Sequence, residues 1–343
     1  MSMLFRAFSR LGLALLFAAA AGASSAATPS PPSADEAVAA LTRAHAAVVG
    51  VQVSAADGAR SAETLGRNRS GSGVVIGPDG LILTIGYLML EAENIQIVTH
   101  DNKTLPARAV AYDQATGFGL LKPLIPLRGV APVALGNHAS LATGEPLMAV
   151  VGGEDGGVAV TQLVSKRPFS GYWEYHIEAA LFTSPPVGNH SGASLFNQRG
   201  ELMGIGSLFV ADAIGGNQRL PGNMFVPVEL LKPILAEMQA TGSSKKSRRP
   251  WLGLTSGEQG GRVHVLRVNK DGPAQAAGLE SGDVVLAVDG AKVTSLEQFY
   301  KGIWAHANPD DEIKLTVLQG AEVKTIAIKG VDRMSTMAKP SGI

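Results

Sequence analysis

From Val48 to Leu231 the sequence is a succession of short apolar runs, each cut off by glycine, proline or an Asp-Gly pair, and this punctuation constrains the fold more than any other feature. The runs read VGVQVSA, GSGVVIG, LILTIGYLML, ENIQIVT, PARAVAYD, FGLLKPL, PLMAVVGG, GVAVTQLVS, EYHIEAAL, GASLFN, LMGIGSLFV and MFVPVELL. They are too short for packed helices and rich in β-branched residues, so they predict strands, and many short strands at regular spacing close into a barrel or a sandwich. The 41 glycines serve turns and close backbone approaches in such a fold. The expected class is all-β.

Helical patterning is confined to short segments. DEAVAALTRAHAAV, from Asp35, carries acids near its positive end, and Val228 to Gln239 (VELLKPILAEMQ) repeats apolar residues at helical spacing. Before the first helix, Arg6 and Arg10 precede the apolar run LGLALLFAAAAG and the small residues around Ala26, the pattern of a secretory signal cleaved there. A retained anchor is the alternative; no later stretch reaches the roughly 20 apolar residues of a membrane-spanning helix, so no stable span is expected after cleavage. With no cysteine, disulfides and thiolate metal sites are excluded, which suits an oxidising periplasm. Zero net charge and 17% charged residues exclude the broad basic footprint of nucleic-acid binding. TGSSKKSRRP (241–250) is a polar, basic stretch read as a solvated linker, and the strands resume beyond it. The expected organisation is a signal peptide at 1–26, a leader and short helix at 27–46, a large β domain at 47–238, the linker at 239–249, a small domain at 250–332 and a frayed tail at 333–343.

Two sets of motifs carry a family resemblance. Pro250-Trp251-Leu252-Gly253-Leu254, Gly272-Pro273-Ala274-Gln275-Ala276-Ala277-Gly278-Leu279 and the run from Gly282-Asp283 to Asp289-Gly290 resemble, in order, the carboxylate-binding loop, helix and hairpin of a bacterial PDZ domain. That resemblance implies that backbone N–H groups at Trp251, Leu252, Gly253 and Leu254 bind a peptide carboxylate while the peptide adds to a strand edge. The other reading is that Leu252 and Leu254 only fill the core. Upstream, Gly71-Ser72-Gly73-Val74-Val75-Ile76, Asp79-Gly80-Leu81-Ile82-Leu83-Thr84, the run from Asp113 to Lys122, and Gly188-Asn189-His190-Ser191-Gly192-Ala193-Ser194-Leu195 resemble the protease domain of the HtrA family. The resemblance implies a chymotrypsin-like double β-barrel followed by the PDZ domain.

The departures from that family are chemical. Aligning the LILT segments puts Tyr87 where the family has its catalytic histidine, and aligning the LLK segments puts Gly117 at the aspartate; only Ser191, the nucleophile, is kept. A serine hydroxyl needs a neighbouring base to take its proton, and a protonated phenol is a poor one. In the oxyanion loop Asn189 stands for glycine, His190 for asparagine and Gly188 for proline; alternatively His190 is an insertion that shifts Ser191 by one residue. His190 neighbours Ser191 directly, and adjacent side chains of an extended segment point apart; His100, His138 and His176 read as surface or packed histidines. Glu91, Glu93 and Asp113 read as solvated carboxylates. Tyr87 either plugs the cleft against Leu88, Met89 and Phe118 or offers its hydroxyl to a ligand.

The resulting expectation is a periplasmic HtrA-like pseudoprotease whose PDZ domain takes unfolded or C-terminal peptide segments of envelope proteins, in a scaffold, chaperone or quality-control role. The alternative is an active serine endopeptidase with an atypical base. No cofactor and no metal are expected. The resemblance implies a homotrimer or an active protease partner as associations.

Overall fold

The computed structural model describes residues 32–154, 156–216 and 218–338. The expected signal peptide, its alternative as an anchor and the first residues of the leader lie outside the described residues. Among the described residues, no helix is long and apolar enough to cross a membrane.

Helix α1 (Ala34–Ala46) begins with a capping box: Ser33 Oγ accepts from Glu36 N, and Glu36 accepts from Ser33 N at 2.9 Å. The first barrel follows, closed in the order β1-β2-β3-β6-β5-β4, with β1 Val48–Ala55, β2 Asn68–Val75, β3 Ile82–Ile85, β4 Ala92–Val98, β5 Thr104–Tyr112 and β6 Phe118–Pro123. The second closes as β10-β11-β12-β9-β8-β7, with β7 Pro146–Val151, β8 Gly157–Gly171, β9 Tyr175–Ser184, β10 Ser194–Phe196, β11 Leu202–Val210 and β12 Gly222–Pro227. Their interiors are continuous: Val51, Ile82 and Leu120 of the first barrel share one apolar cluster with Phe182, Ile205 and Val226 of the second. Both sheets close on themselves, so neither barrel leaves a sticky edge.

The C-terminal unit has its own core, built around Leu252, Val285, Phe299, Tyr300 and Leu315. A two-stranded pair joins β13 (Pro250–Trp251) to a late strand at Val331–Asp332. The main sheet runs β14 (Leu254–Gln259), β15 (Arg262–Val268), β16 (Val284–Val288), then Glu312–Gln319 and Glu322–Lys329, which leaves β14 at an edge. The helix Leu296–Ile303, capped by Ser295, packs its Leu296, Phe299, Tyr300 and Ile303 face inward.

Four expectations need correction. The LILTIGYLML run is not one strand: β3 stops at Ile85 and a 3₁₀ turn, Gly86–Met89, follows, because Gly86 N donates to Gly117 O at 2.7 Å rather than to a ladder. The helix foreseen at 228–239 is a 3₁₀ turn at Val228–Leu230 and a separate helix at Leu235–Thr241; Pro233 lies between them and disfavours helical backbone at the residue before it. In the basic stretch Lys245, Lys246 and Arg248 are exposed, but Ser244 and Ser247 are buried and the Arg249 guanidinium lies 3.4 Å over the Trp304 ring. The tail is seated at its start: Arg333–Thr336 forms a 3₁₀ turn and Ala338 N donates to Glu91 at 3.0 Å.

Candidate functional site

The seam between the barrels brings Ser191 to β2 and to the turn after β3. Ser191 O accepts from Ser72 N at 2.9 Å, and Thr84 Oγ1 donates to Ser72 O at 2.6 Å. Gly192 has φ +75°, and a Cβ there would sit 2.0 Å from Ser72 O, so only glycine permits this approach. Ala193 N donates to His190 O and Gly192 N to Gly206 O, which clamps the 190–193 loop against β11. Asn189 takes a left-handed φ of 48°, a conformation that asparagine tolerates better than most residues. The N–H groups of Asn189 and Ser191 make no hydrogen bond within the described residues.

Tyr87, on the 3₁₀ turn, is partly buried against the barrel core. The turn is held by Arg69, whose guanidinium donates to Tyr87 O at 3.2 Å and Leu90 O at 2.7 Å. Tyr87 Oη lies 2.7 Å from Ser191 Oγ and 2.9 Å from the Ser207 carbonyl. Ser207 sits where β11 slips register against β12, so its carbonyl falls in a bulge and the tyrosine hydroxyl supplies a donor there. A carbonyl can only accept and a phenol has one proton. With that proton satisfying Ser207 O, the Ser191 hydroxyl turns its own hydrogen toward the phenol oxygen.

Burial pushes the Tyr87 hydroxyl up to about 12, against the smaller opposing effect of its Ser191 bond. At pH 7 the phenolate fraction is then about one in 10⁵, and the neutral phenol oxygen is a feeble proton acceptor. Among the described residues no histidine bonds to Ser191: His176 pairs with Ser170 Oγ at 2.9 Å, His138 contacts Glu229, His306 meets Asp289, and His100 is exposed. His190 is half-buried, and burial lowers its pKa.

Around Gly117 the space is taken by the side chains of Tyr175 and Ile85. Gly117 has φ +83°, and a Cβ there would lie 3.2 Å from Tyr175 Oη. Tyr175 is buried, stacks on Trp173 and donates to Thr116 O at 2.7 Å. Phe118 is fully buried beside this turn. Sequence reasoning missed Tyr175 and the Ser207 carbonyl, and no local signal in the sequence marks either.

Two carboxylates read as solvated are not. Glu91 is 3% exposed and accepts from Ser61 N at 2.7 Å, while Asp113 is wholly buried. Asp113 accepts from Thr116 N and Oγ1 at 2.9 and 2.7 Å, and from Ser244 Oγ at 2.5 Å and Ser247 Oγ. Burial pushes its pKa up, but the bonds from Ser244, Ser247 and Thr116 outweigh that and leave it lowered. Glu93 is exposed, as expected.

In the C-terminal unit Leu252 and Leu254 belong to the buried core, and their backbone N–H groups are engaged. Glu174, from the turn between β8 and β9, accepts from Leu252 N at 3.1 Å, Gly253 N at 2.8 Å and Leu254 N at 2.9 Å. Trp251 is buried beside this loop, and Gly253 holds it with φ +80°. His176, Glu178 and Glu297 could bring ligand atoms together, but Lys301 Nζ lies 2.7 Å from both Glu178 and Glu297 and supplies the neutralising charge.

Residues 71–205 match the trypsin-like peptidase domain family, and residues 250–329 match the PDZ domain family. Among curated proteins the chain is similar to the "Probable periplasmic serine endoprotease DegP-like" of Ectopseudomonas mendocina (strain ymp), with 30% identity over 240 residues, covering 65% of this chain and 48% of that protein. The protein of the same name from Pseudomonas fulva (strain 12-X) is 28% identical over 275 residues, covering 75% of this chain and 55% of its own length. The chain therefore spans about half the length of these relatives. Among solved structures it is similar to the HtrA-type protease AlgW with decapeptide, at TM-score 0.54 and 20% identity over 89% of this chain and 99% of that one. It is also similar to the serine endoprotease from Yersinia pestis, at TM-score 0.52 and 24% identity over 88% and 99%. At these identities the structural likeness shows a shared fold.

Proposed function

Because this chain joins a trypsin-like peptidase domain to a PDZ domain and is of the DegP/HtrA type, we propose that it is an envelope pseudoprotease, a scaffold that takes peptide segments through its PDZ domain without cutting them. The observation that carries this reading is the hydrogen bond at 2.7 Å between Ser191 and a phenol, where hydrolysis needs an imidazole. Loss of a base costs up to about 10⁶ in turnover in serine proteases, and oxyanion donors plus binding leave only about 10³ to 10⁴ over water. Gly117, with Tyr175 packed beside it, supports the same conclusion, since nothing there could orient a base. The relatives named periplasmic, together with the leader pattern in the sequence, support export to the periplasm.

An active endopeptidase is the second reading, favoured by a half-exposed Ser191 and by the N–H groups of Asn189 and Ser191, for which no group among the described residues competes. Casein hydrolysis separates the two. Purified full-length protein is expected to release no more fragments than its Ser191→Ala variant; turnover that disappears with that substitution would refute the proposal.

A further inference from the structure

The turn joining β8 to β9 enters the PDZ groove in the manner of a peptide ligand. Its Glu174 is 1% exposed, and its carboxylate takes three consecutive N–H groups of the loop that the PDZ resemblance assigns to a peptide terminus. Beside it the chain runs along the free edge of β14, where Ser256 N donates to Tyr172 O at 2.8 Å. Tyr300, fully buried, donates to Gly171 O at 2.7 Å and accepts from Glu174 N at 3.3 Å, fixing both ends of the turn. Glu174 takes a left-handed φ of 58° at this turn. A carboxylate on a nest of amides with neighbouring backbone added to a strand edge are the two halves of terminal-peptide recognition, here supplied by the chain itself.

We infer that Glu174 is an internal ligand of the PDZ domain, and that a peptide with a free C-terminal carboxylate binds this protein only by displacing it. The inference rests on the reading that this PDZ domain takes peptides. A tethered ligand is present at high effective concentration, and a site open for only a fraction of the time weakens an external ligand by that fraction. An amidated peptide lacks the charge that the loop recognises and gains nothing from the exchange. Glu174 binds through its side chain, so the hairpin can withdraw without a chain end being cut or moved.

The test uses full-length protein and fluorescent decapeptides ending in valine, leucine, phenylalanine or alanine, each as free acid and as amide. Glu174→Gln is expected to bind at least one free acid tenfold or more tightly than wild type, with the amides weak for both. Tyr300→Phe, which keeps the packed ring and removes the two hydroxyl bonds to the turn, is expected to tighten binding by a smaller factor, and it stands in if Glu174→Gln folds poorly. Equal affinity for wild type and both variants would overturn the inference and leave peptide capture intact. If no peptide binds any of them, amide exchange at residues 252–254 decides. Exchange quickened in Glu174→Gln would remove peptide capture and keep Glu174 as the loop's ligand, whereas unchanged exchange would overturn that role too.

Discussion

Tyr87→Phe removes one oxygen and so isolates what the phenol does at the barrel seam. Two groups lose a partner: the Ser207 carbonyl, 2.9 Å away in a buried bulge, and the Ser191 hydroxyl, 2.7 Å away and half-exposed. A buried acceptor left without a donor costs about 1–3 kcal/mol, while an accessible hydroxyl recovers most of its loss from water. The substitution is therefore expected to cost about 2 kcal/mol, against about 0.5–1 kcal/mol for Ser191→Ala, which deletes only the more solvent-accessible of the two bonds. Urea denaturation followed by far-UV circular dichroism reads both values, and the double variant gives their coupling, expected near 1 kcal/mol for one shared hydrogen bond. A Tyr87→Phe cost at or below that of Ser191→Ala would refute the proton assignment, because it would mean that Ser207 O does not depend on the phenol.

Installing the family's histidine and aspartate is not expected to produce a protease. Gly117→Asp places a side chain at φ +83° against Tyr175 Oη and is expected to cost about 2–4 kcal/mol in a denaturant titration; with Tyr87→His added, casein cleavage should still not exceed that of Ser191→Ala, and a gain in turnover would contradict the account of the site. Asp113→Asn should destabilise by about 2–4 kcal/mol at pH 7, since an amide group would then face hydroxyl and N–H donors that now meet a carboxylate. The folded pKa of Asp113 lies below its ordinary 3.8, so its contribution is present above that value and fades as pH falls through the folded value. Thermal melts of wild type and variant should therefore converge only below about pH 4, and convergence on raising the pH would reverse the sign and refute the assignment.

The barrels and the C-terminal unit were legible because short apolar, β-branched runs and glycine-bounded turns are local signals, whereas Tyr87 and Gly117 are set against the family's histidine and aspartate only by aligning neighbouring motifs. What escaped were partnerships across the chain. Asp113 looks like a surface acid in DQATG until Ser244 and Ser247, far along the sequence, fold over it. Glu174 sits in GYWE, an unremarkable hairpin tip, and its role appears only when residues 252–254 arrive from the other unit. Ser207 reads as a strand residue, and nothing in LMGIGSLFV marks the bulge that turns its carbonyl to Tyr87. Pro233 marks the break within 228–239 in the sequence itself, although apolar periodicity alone predicts one helix there.

The pseudoprotease reading requires that Ser191 keep its proton. Incubation of full-length protein with a fluorophosphonate across pH 6 to 9, read by intact mass, tests this directly. No adduct beyond that formed by Ser191→Ala is expected at any pH in the range. Stoichiometric labelling of Ser191 that rises along a titration near neutrality would contradict it, since a base absent from the site described above would then have to be at work.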